Sequence, residues 1–260
     1  MLIKIIDTKD MPERVKELHL SDAFDMPVEQ GKFEWTATLI NINTGMNPEL
    51  LKKCKALGGY VTFVDKVRNI VLLIEEHIIG NHGGKVSMVC GLSMGGLIAA
   101  KLAAKGSIEI ETLVLDGAPL IKVPGIAARI MQSTYLSIIR RSKKREPKII
   151  KSFKKTFLPE KHLDSYLKIA DNMTDESIRN MIGSVCKGFD FVSYSPDMKI
   201  LFMHGTKGNE SISEKAAKKL KKMNPQTKIR CYKNYAHAQL ACFEPHNWIN
   251  DVTDFKDSVF

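Results

Sequence analysis

The 260-residue sequence has no long hydrophobic run and no paired cysteine motif. Charged residues interrupt residues 1–7 too early for a secretory signal peptide, and no apolar stretch approaches the roughly 20 residues of a membrane-spanning helix. The five cysteines are scattered and odd in number, which argues against a disulfide framework and a zinc site. We therefore expect a cytoplasmic protein with no transmembrane segment and no bound metal.

Acidic residues are scarce in one segment of a chain whose net charge is +10. Residues 140–155 contain nine basic residues and the single acid Glu146, a local charge of +8 that leaves +2 for the rest. Aromatic residues are not interleaved with these charges, and no nucleic-acid-binding module accompanies them, so we expect no nucleic-acid partner. The basic character belongs to one local element.

The basic segment has two interpretations. Apolar residues at positions 149, 150, 153 and 157 form a helical stripe, and the lysines lie largely on other faces. One interpretation is a lid helix that packs this stripe inward and leaves a solvated lysine face. The other is a weak contact of residues 140–155 with an anionic surface, or a screen over a pocket for anionic acyl compounds.

Strand-like and helix-like segments alternate along most of the chain. The predicted strands are continuously apolar, which is typical of a mostly parallel sheet with helices on both faces. A Ser-x-x-Glu capping box predicts that a late helix opens at Ser211. Predicted strands cover residues 36–42, 60–64, 86–90, 112–115, 199–203 and 228–232, and predicted helices cover 48–56, 67–79, 97–104, 211–223 and 247 onward.

Between residues 121 and 196 the alternation stops, and the chain is helical in character with breaks at proline and glycine. No low-complexity linker or internal repeat divides the sequence. We therefore predict one α/β core made of residues 1–120 and 197–260, with residues 121–196 as a helical insertion.

The hexapeptide Gly-Leu-Ser-Met-Gly-Gly at residues 91–96 is the most informative motif. It has the Gly-x-Ser-x-Gly pattern between an apolar predicted strand and a predicted helix, a setting in which a sharp turn exposes the serine. The helix begins directly behind the hydroxyl, so its unpaired N–H groups face a developing negative charge. Ser93 is the predicted nucleophile, and a glycine-rich turn without chemistry is the plainer interpretation.

A serine hydroxyl needs a base that takes its proton, and His237 is the candidate. It follows the last predicted strand in a short loop. Because the carboxyl ends of parallel strands meet at one edge of a sheet, this loop opens where the Ser93 turn also opens. His204 ends another predicted strand at this edge, and we expect a packing or hydrogen-bonding role for it.

The order of serine turn, helical insertion, strand ending in His-Gly and late histidine resembles the α/β-hydrolase family, from about residue 33 to the end of the chain. The resemblance implies that nucleophile, acid and histidine follow in that order, and that residues 121–196 are a cap. It also implies an oxyanion hole made by the backbone N–H groups of Met94 and Met46, because Thr44-Gly45-Met46 stands where that family usually has His-Gly-x.

The triad acid is the point at which the sequence departs from the family pattern. The family typically places an aspartate a few residues past the His-Gly pair, and Gly208 occupies that position here. Glu210 reaches the histidine if the loop is shifted by two residues, because its side chain is one methylene longer. Asp116, which ends the strand after the serine helix, is the other candidate, since some members of the family supply the acid from there.

These observations together predict a serine hydrolase that cleaves a small-molecule carboxylic ester or thioester through an acyl-enzyme intermediate. Neither a metal nor an organic cofactor is expected, because the resemblance implies chemistry by side chains and backbone amides alone. The alternative is a protein of the α/β-hydrolase fold that binds a ligand or a partner and has lost turnover. Gly208 at the acid position is the feature that favours this alternative.

Overall fold

The computed structural model describes residues 67–156, 159–160, 163–173 and 175–258. The strands predicted at residues 36–42 and 60–64, the helix predicted at 48–56, and Met46 lie outside the described residues. Position 157 of the apolar stripe lies outside them as well.

The described elements alternate between helix and strand at both ends and are purely helical in between. In chain order they are α1 (Val67–His82), β1 (Lys85–Leu92), α2 (Met94–Lys105), β2 (Glu109–Asp116), α3 (Gly125–Lys143), α4 (Pro147–Thr156), α5 (Leu163–Asn172), α6 (Asp175–Cys186), β3 (Lys199–His204), α7 (Glu210–Met223), β4 (Thr227–Cys231), α8 (Gln239–Phe243) and α9 (Pro245–Asp257).

The described residues divide into two compact units. The sheet unit contains residues 71–128 and 184–258, and the helical unit contains residues 67–70 and the described part of 129–183. The boundaries predicted from the sequence, and the interpretation of residues 121–196 as a cap, stay predictions.

Four parallel strands form the sheet, and they pair in the order β1, β2, β3, β4. Leu113, Val114 and Leu115 on β2 are consecutive and completely buried. Because successive strand residues point to opposite faces, burial of all three means that both faces of β2 are covered. Helix α2 packs against β1 and β2, and α7 packs against β3 and β4. The predicted parallel sheet flanked by helices is confirmed.

The register of the strands brings their carboxyl ends to one edge of the sheet. Leu92 is opposite Asp116, Asp116 is opposite Met203, and His204 is opposite Cys231. The residues that follow β1, β2, β3 and β4 therefore leave the sheet side by side. This edge is where ligands bind in open parallel sheets.

The helical unit has a small core of its own. Phe153, Leu163 and Leu167 are buried in it, and the half-buried Ile149 and Ile150 of α4 pack against them. The inward packing of the predicted apolar stripe is thus present at positions 149, 150 and 153. Within the described ranges, every helix is too short or too polar to cross a lipid bilayer.

Gly91 at the end of β1 allows a close backbone approach that a side chain would block. A Cβ atom at Gly91 would lie 2.4 Å from the carbonyl oxygen of Gly95. We expect Gly91→Ala to lower the free energy of unfolding by about 1–3 kcal/mol, because backbone atoms have to move. Urea unfolding of the full chain measures this change.

The matched control is Gly95→Ala, where a Cβ atom would meet nothing within 4 Å. Alanine is the better helix former, so this variant is expected to be as stable as the parent or up to about 1 kcal/mol more stable. Equal stability of the two variants would contradict the tight turn.

Candidate active site

Ser93 lies on a strained turn between β1 and α2. Its backbone has φ 54° and ψ −120°, a conformation that residues with a side chain rarely adopt. The turn is tied to the neighbouring strand because the Ser93 N–H donates to the carbonyl oxygen of Asp116 at 2.7 Å. Such strain persists where the surroundings enforce it and is typical of functional sites. The predicted turn at residues 91–96 therefore presents Ser93 at the carboxyl edge of the sheet.

The first amides of α2 lie next to Ser93. Met94 is the first residue of this helix, and its N–H is one of the amides that lack a partner inside the helix. The amino end of a helix carries a partial positive charge, so this position favours a negatively charged oxygen. The role of the Met46 N–H as a second donor concerns a residue outside the described ranges and stays a prediction.

His237 and Glu210 are in direct contact. The distance from Nδ1 of His237 to Oε1 of Glu210 is 2.6 Å. The Glu210 side chain is 1% exposed and the His237 side chain 22%. An ionised carboxylate only accepts hydrogen bonds, so Nδ1 carries the proton and donates it, and Nε2 is free to accept another.

Glu210 is held in its charged form although it is buried. Burial by itself would raise the pKa of this carboxyl, but hydrogen bonds from His237 and from the Gly205 N–H, the latter 2.8 Å from Oε2, leave the pKa below its ordinary value. Both carboxylate oxygens therefore have a donor. The arrangement orients the imidazole of His237.

Two loops hold this pair in place. The N–H groups of Thr206 and Lys207 both donate to the carbonyl oxygen of Tyr235, each at 2.9 Å. A Cβ atom at Gly205 would lie 2.1 Å from that same oxygen, so only glycine allows the approach. The loop after β3 and the loop after β4 are therefore joined next to Glu210 and His237.

The capping box predicted at Ser211 is wrong. Helix α7 begins one residue earlier, at Glu210, with Asn209 as the N-cap residue and no side-chain capping bond. The reason is that the Glu210 side chain is bound to the Gly205 N–H and to His237. These bonds hold Glu210 in the first turn, so the helix does not begin after it. Gly208, in the preceding turn, has φ +66°, a conformation that an aspartate rarely adopts.

Gly117 brings the Ser93 turn and His237 together. It follows Asp116, whose carbonyl oxygen binds the Ser93 N–H. A Cβ atom at Gly117 would lie 2.7 Å from Cε1 of His237, so the imidazole rests directly on this glycine. Sequence reasoning missed this contact, and the only available signal was a glycine that immediately follows the strand.

The Asp116 carboxyl is hydrogen-bonded to a residue other than His237. Its Oδ2 accepts a hydrogen bond of 2.8 Å from Nε1 of Trp248, and both side chains are buried. Within the described residues Asp116 makes no hydrogen bond to His237. Of the two candidate acids, the structure brings Glu210 to the histidine and Asp116 to the tryptophan. Nothing in the sequence signalled Trp248, which lies 132 positions further along the chain.

Three further features of this edge concern His204, the Ser93 hydroxyl and metal binding. His204 is 3% exposed, and its Nδ1–H donates to the Gly205 carbonyl oxygen at 2.7 Å. Among the described residues, the Ser93 hydroxyl makes no hydrogen bond, and such bonds often tighten only when substrate is bound. No three His, Cys, Asp or Glu side chains of the described ranges come together so as to hold a metal ion.

Comparison with known proteins shows the fold. No protein-family model matches the chain, and no curated protein matches it in sequence. An esterase from Exiguobacterium antarcticum is similar in structure, with a TM-score of 0.56, 15% identity, and coverage of 83% of this chain and 90% of the esterase.

Two further solved structures are similar. An alpha/beta hydrolase fold protein from Chitinophaga pinensis has a TM-score of 0.51 at 20% identity, covering 75% of this chain and 73% of its own. A bromoperoxidase from Bacillus anthracis has a TM-score of 0.53 at 16% identity, covering 75% of each chain. The chain therefore has the α/β-hydrolase fold, and its chemistry has to be argued from its site.

Burial makes Asp116 a source of pH-dependent stability. Burial raises the pKa of its carboxyl to about 6, and the hydrogen bond from Trp248 only partly opposes the rise. The folded protein thus binds this proton more tightly than the unfolded chain, so stability falls as pH rises from about 4 to above 6. We expect the difference in unfolding free energy between wild type and Asp116→Asn to change by about 3 kcal/mol across this window.

Urea unfolding at several pH values measures that difference. Asp197→Asn removes an exposed carboxyl and serves as the control, with a pH profile expected to follow wild type. A difference between wild type and Asp116→Asn that stays constant from pH 4 to 7 would show that burial of Asp116 costs nothing.

Proposed function

We propose that this chain is a serine hydrolase that cleaves a carboxylic ester or thioester, with Ser93 as nucleophile, His237 as base and Glu210 as acid. The observation that carries the proposal is the 2.6 Å contact between His237 and the buried Glu210, next to a strained serine turn. The esterase among the structural neighbours supports the ester as the substrate class.

In the first half of the reaction, Nε2 of His237 takes the proton of the Ser93 hydroxyl as Oγ attacks the substrate carbonyl. The carbonyl oxygen becomes negatively charged and receives a hydrogen bond from the Met94 N–H, with the Met46 N–H as the proposed second donor. The positive charge on His237 is balanced by Glu210, whose carboxylate is ionised and buried beside it. This balance is strongest in the transition state, which lowers the barrier.

The first half ends when the tetrahedral intermediate collapses and His237 gives its proton to the departing alcohol or thiol. The acyl group is then bound to Ser93 as an ester. A water molecule gives its proton to His237, attacks this ester, and releases the carboxylic acid while Oγ of Ser93 regains the proton. Every step uses side chains and backbone amides of this chain, so the proposal includes no cofactor.

The alternative, a binding protein that has lost turnover, rested on the glycine at position 208. Gly208 occupies a turn with positive φ, and Glu210 supplies a carboxylate to His237 from two residues further on. This arrangement supports the hydrolase over the alternative. Cys90, Cys231 and Cys242 are free thiols, which supports a reducing compartment such as the cytoplasm.

An alkyl fluorophosphonate probe tests the nucleophile. We expect the intact protein to be labelled once, at Ser93, because only an activated serine displaces fluoride at a useful rate. Intact-mass spectrometry followed by peptide mapping measures the site. The control is Ser87→Ala, an exposed serine of β1 that should not affect labelling, whereas Ser93→Ala should abolish it. Folded protein that does not react would favour the binding protein.

The identity of the acid is tested by two amide substitutions. Glu210→Gln removes the charge beside His237, so we expect kcat for a nitrophenyl ester to fall on the order of 1,000-fold or more. Asp116→Asn keeps an acceptor for Trp248, and we expect a much smaller loss. Circular dichroism and thermal unfolding verify that both variants are folded. A large loss in Asp116→Asn together with full activity in Glu210→Gln would reverse the assignment.

A further inference from the structure

Four of the nine basic residues of segment 140–155 form ion pairs with acids of the helical unit. Arg141 pairs with Glu146 at 2.6 Å, and Arg145 forms two hydrogen bonds of 2.7 Å with Asp171. The remaining partnerships join Arg140 to Asp175, Lys154 to Glu160, and Nζ of Lys143 to the carbonyl oxygen of Met173. Four acids close to this segment are thus committed to particular cations, three of them to its arginines.

Four lysines of the segment are left over. Lys144, Lys148, Lys151 and Lys155 are exposed, and none of them forms an ion pair within the described ranges. At 100° per residue, the three on α4 fall within about 60° of one another around the helix axis. We call these four residues the free lysines.

The free lysines of α4 lie opposite its apolar residues. Ile149, Ile150 and Phe153 pack into the core of the helical unit, and Phe153 also meets the Tyr166 ring edge-on at 5.1 Å. The apolar side of α4 is therefore already occupied. Within the described residues, the three lysines on this side of α4 thus present charge of one sign that no acid of α4 offsets.

We infer that the free lysines dock the protein on the surface of an anionic phospholipid bilayer. A lysine ammonium is a compact point charge on a flexible stem, suited to a diffuse layer of negative charge. Arginines, which read a single carboxylate or phosphate with two parallel hydrogen bonds, are committed internally in this segment. Stacking aromatics, which single-stranded nucleic acids require, are packed in the core of the unit.

Such docking is peripheral and electrostatic. Each lysine beside an anionic bilayer strengthens binding up to about five-fold, so four together give at most roughly 600-fold, and on the order of 100-fold if some lie further from the surface. Since the apolar side of α4 is packed, the helix does not insert, and salt that screens the charges releases the protein. The docking is independent of the chemistry proposed for Ser93 and is measured without turnover.

Co-sedimentation of the full chain with vesicles tests this inference. Vesicles of phosphatidylcholine containing about 30 mol% phosphatidylserine are compared with pure phosphatidylcholine at about 0.1 M salt. We expect binding to the anionic vesicles only, and release at about 1 M salt. Replacing all four free lysines by glutamine is expected to weaken binding by on the order of 100-fold.

The matched control replaces Lys215, Lys221, Lys222 and Lys228 by glutamine. These are exposed lysines of the sheet unit, and both variants lower the net charge from +10 to +6. The control should bind like wild type if position matters and total charge does not.

Three results would overturn the inference. They are absence of wild-type binding to anionic vesicles, equal loss in the two quadruple variants, and tighter wild-type binding to duplex DNA or polyglutamate than to the vesicles at the same salt.

Discussion

The contact between His237 and Glu210 is the interaction on which the candidate site depends. A carboxylate with 1% exposure is stable only if its oxygens are paired, and here the imidazole and the Gly205 N–H provide the two donors. The bond to His237 orients the ring and places its proton on Nδ1, and the bond from Gly205 is made by the first residue of α7. One buried carboxylate is thus tied both to the histidine ring and to the loop after β3.

The parallel sheet brings the loops that carry His237 and Glu210 to the same edge. Because β1 to β4 run in one direction and are in register, the turns that carry Ser93, Gly117, Glu210 and His237 leave the sheet at one edge. Glycines 117 and 205 remove the side chains that would separate these turns. Asp116 lies on this edge as well, but its carboxyl is directed to Trp248 of α9 and contributes to the packing behind the site.

Local sequence patterns were enough for the elements and for two of the three site residues. The strained serine is predicted by its neighbours, since a glycine-flanked serine between an apolar strand and a helix has few other conformations. His237 follows from chain order and the geometry of parallel strands. Asp116 stayed an alternative to Glu210 because the difference between them is a matter of side-chain reach across residues 27 and 132 positions apart. The capping box failed for the same reason, since a tertiary hydrogen bond overrode a local one.

For the basic segment too, some properties follow from the sequence and others only from the tertiary structure. The order of its residues along the chain was enough to predict that α4 is amphipathic and positively charged, because helical periodicity is a local property. Only the tertiary structure decided which cations are neutralised, since Asp171 and Asp175 reach them from other helices. For the whole chain, the sequence determined the α/β-hydrolase fold, the serine turn and the late histidine. The reason is that backbone conformation and hydrophobic periodicity depend on residues that are close together in the sequence. The tertiary structure decided which carboxylate serves the histidine and which lysines remain free, because those contacts join residues that are distant along the chain.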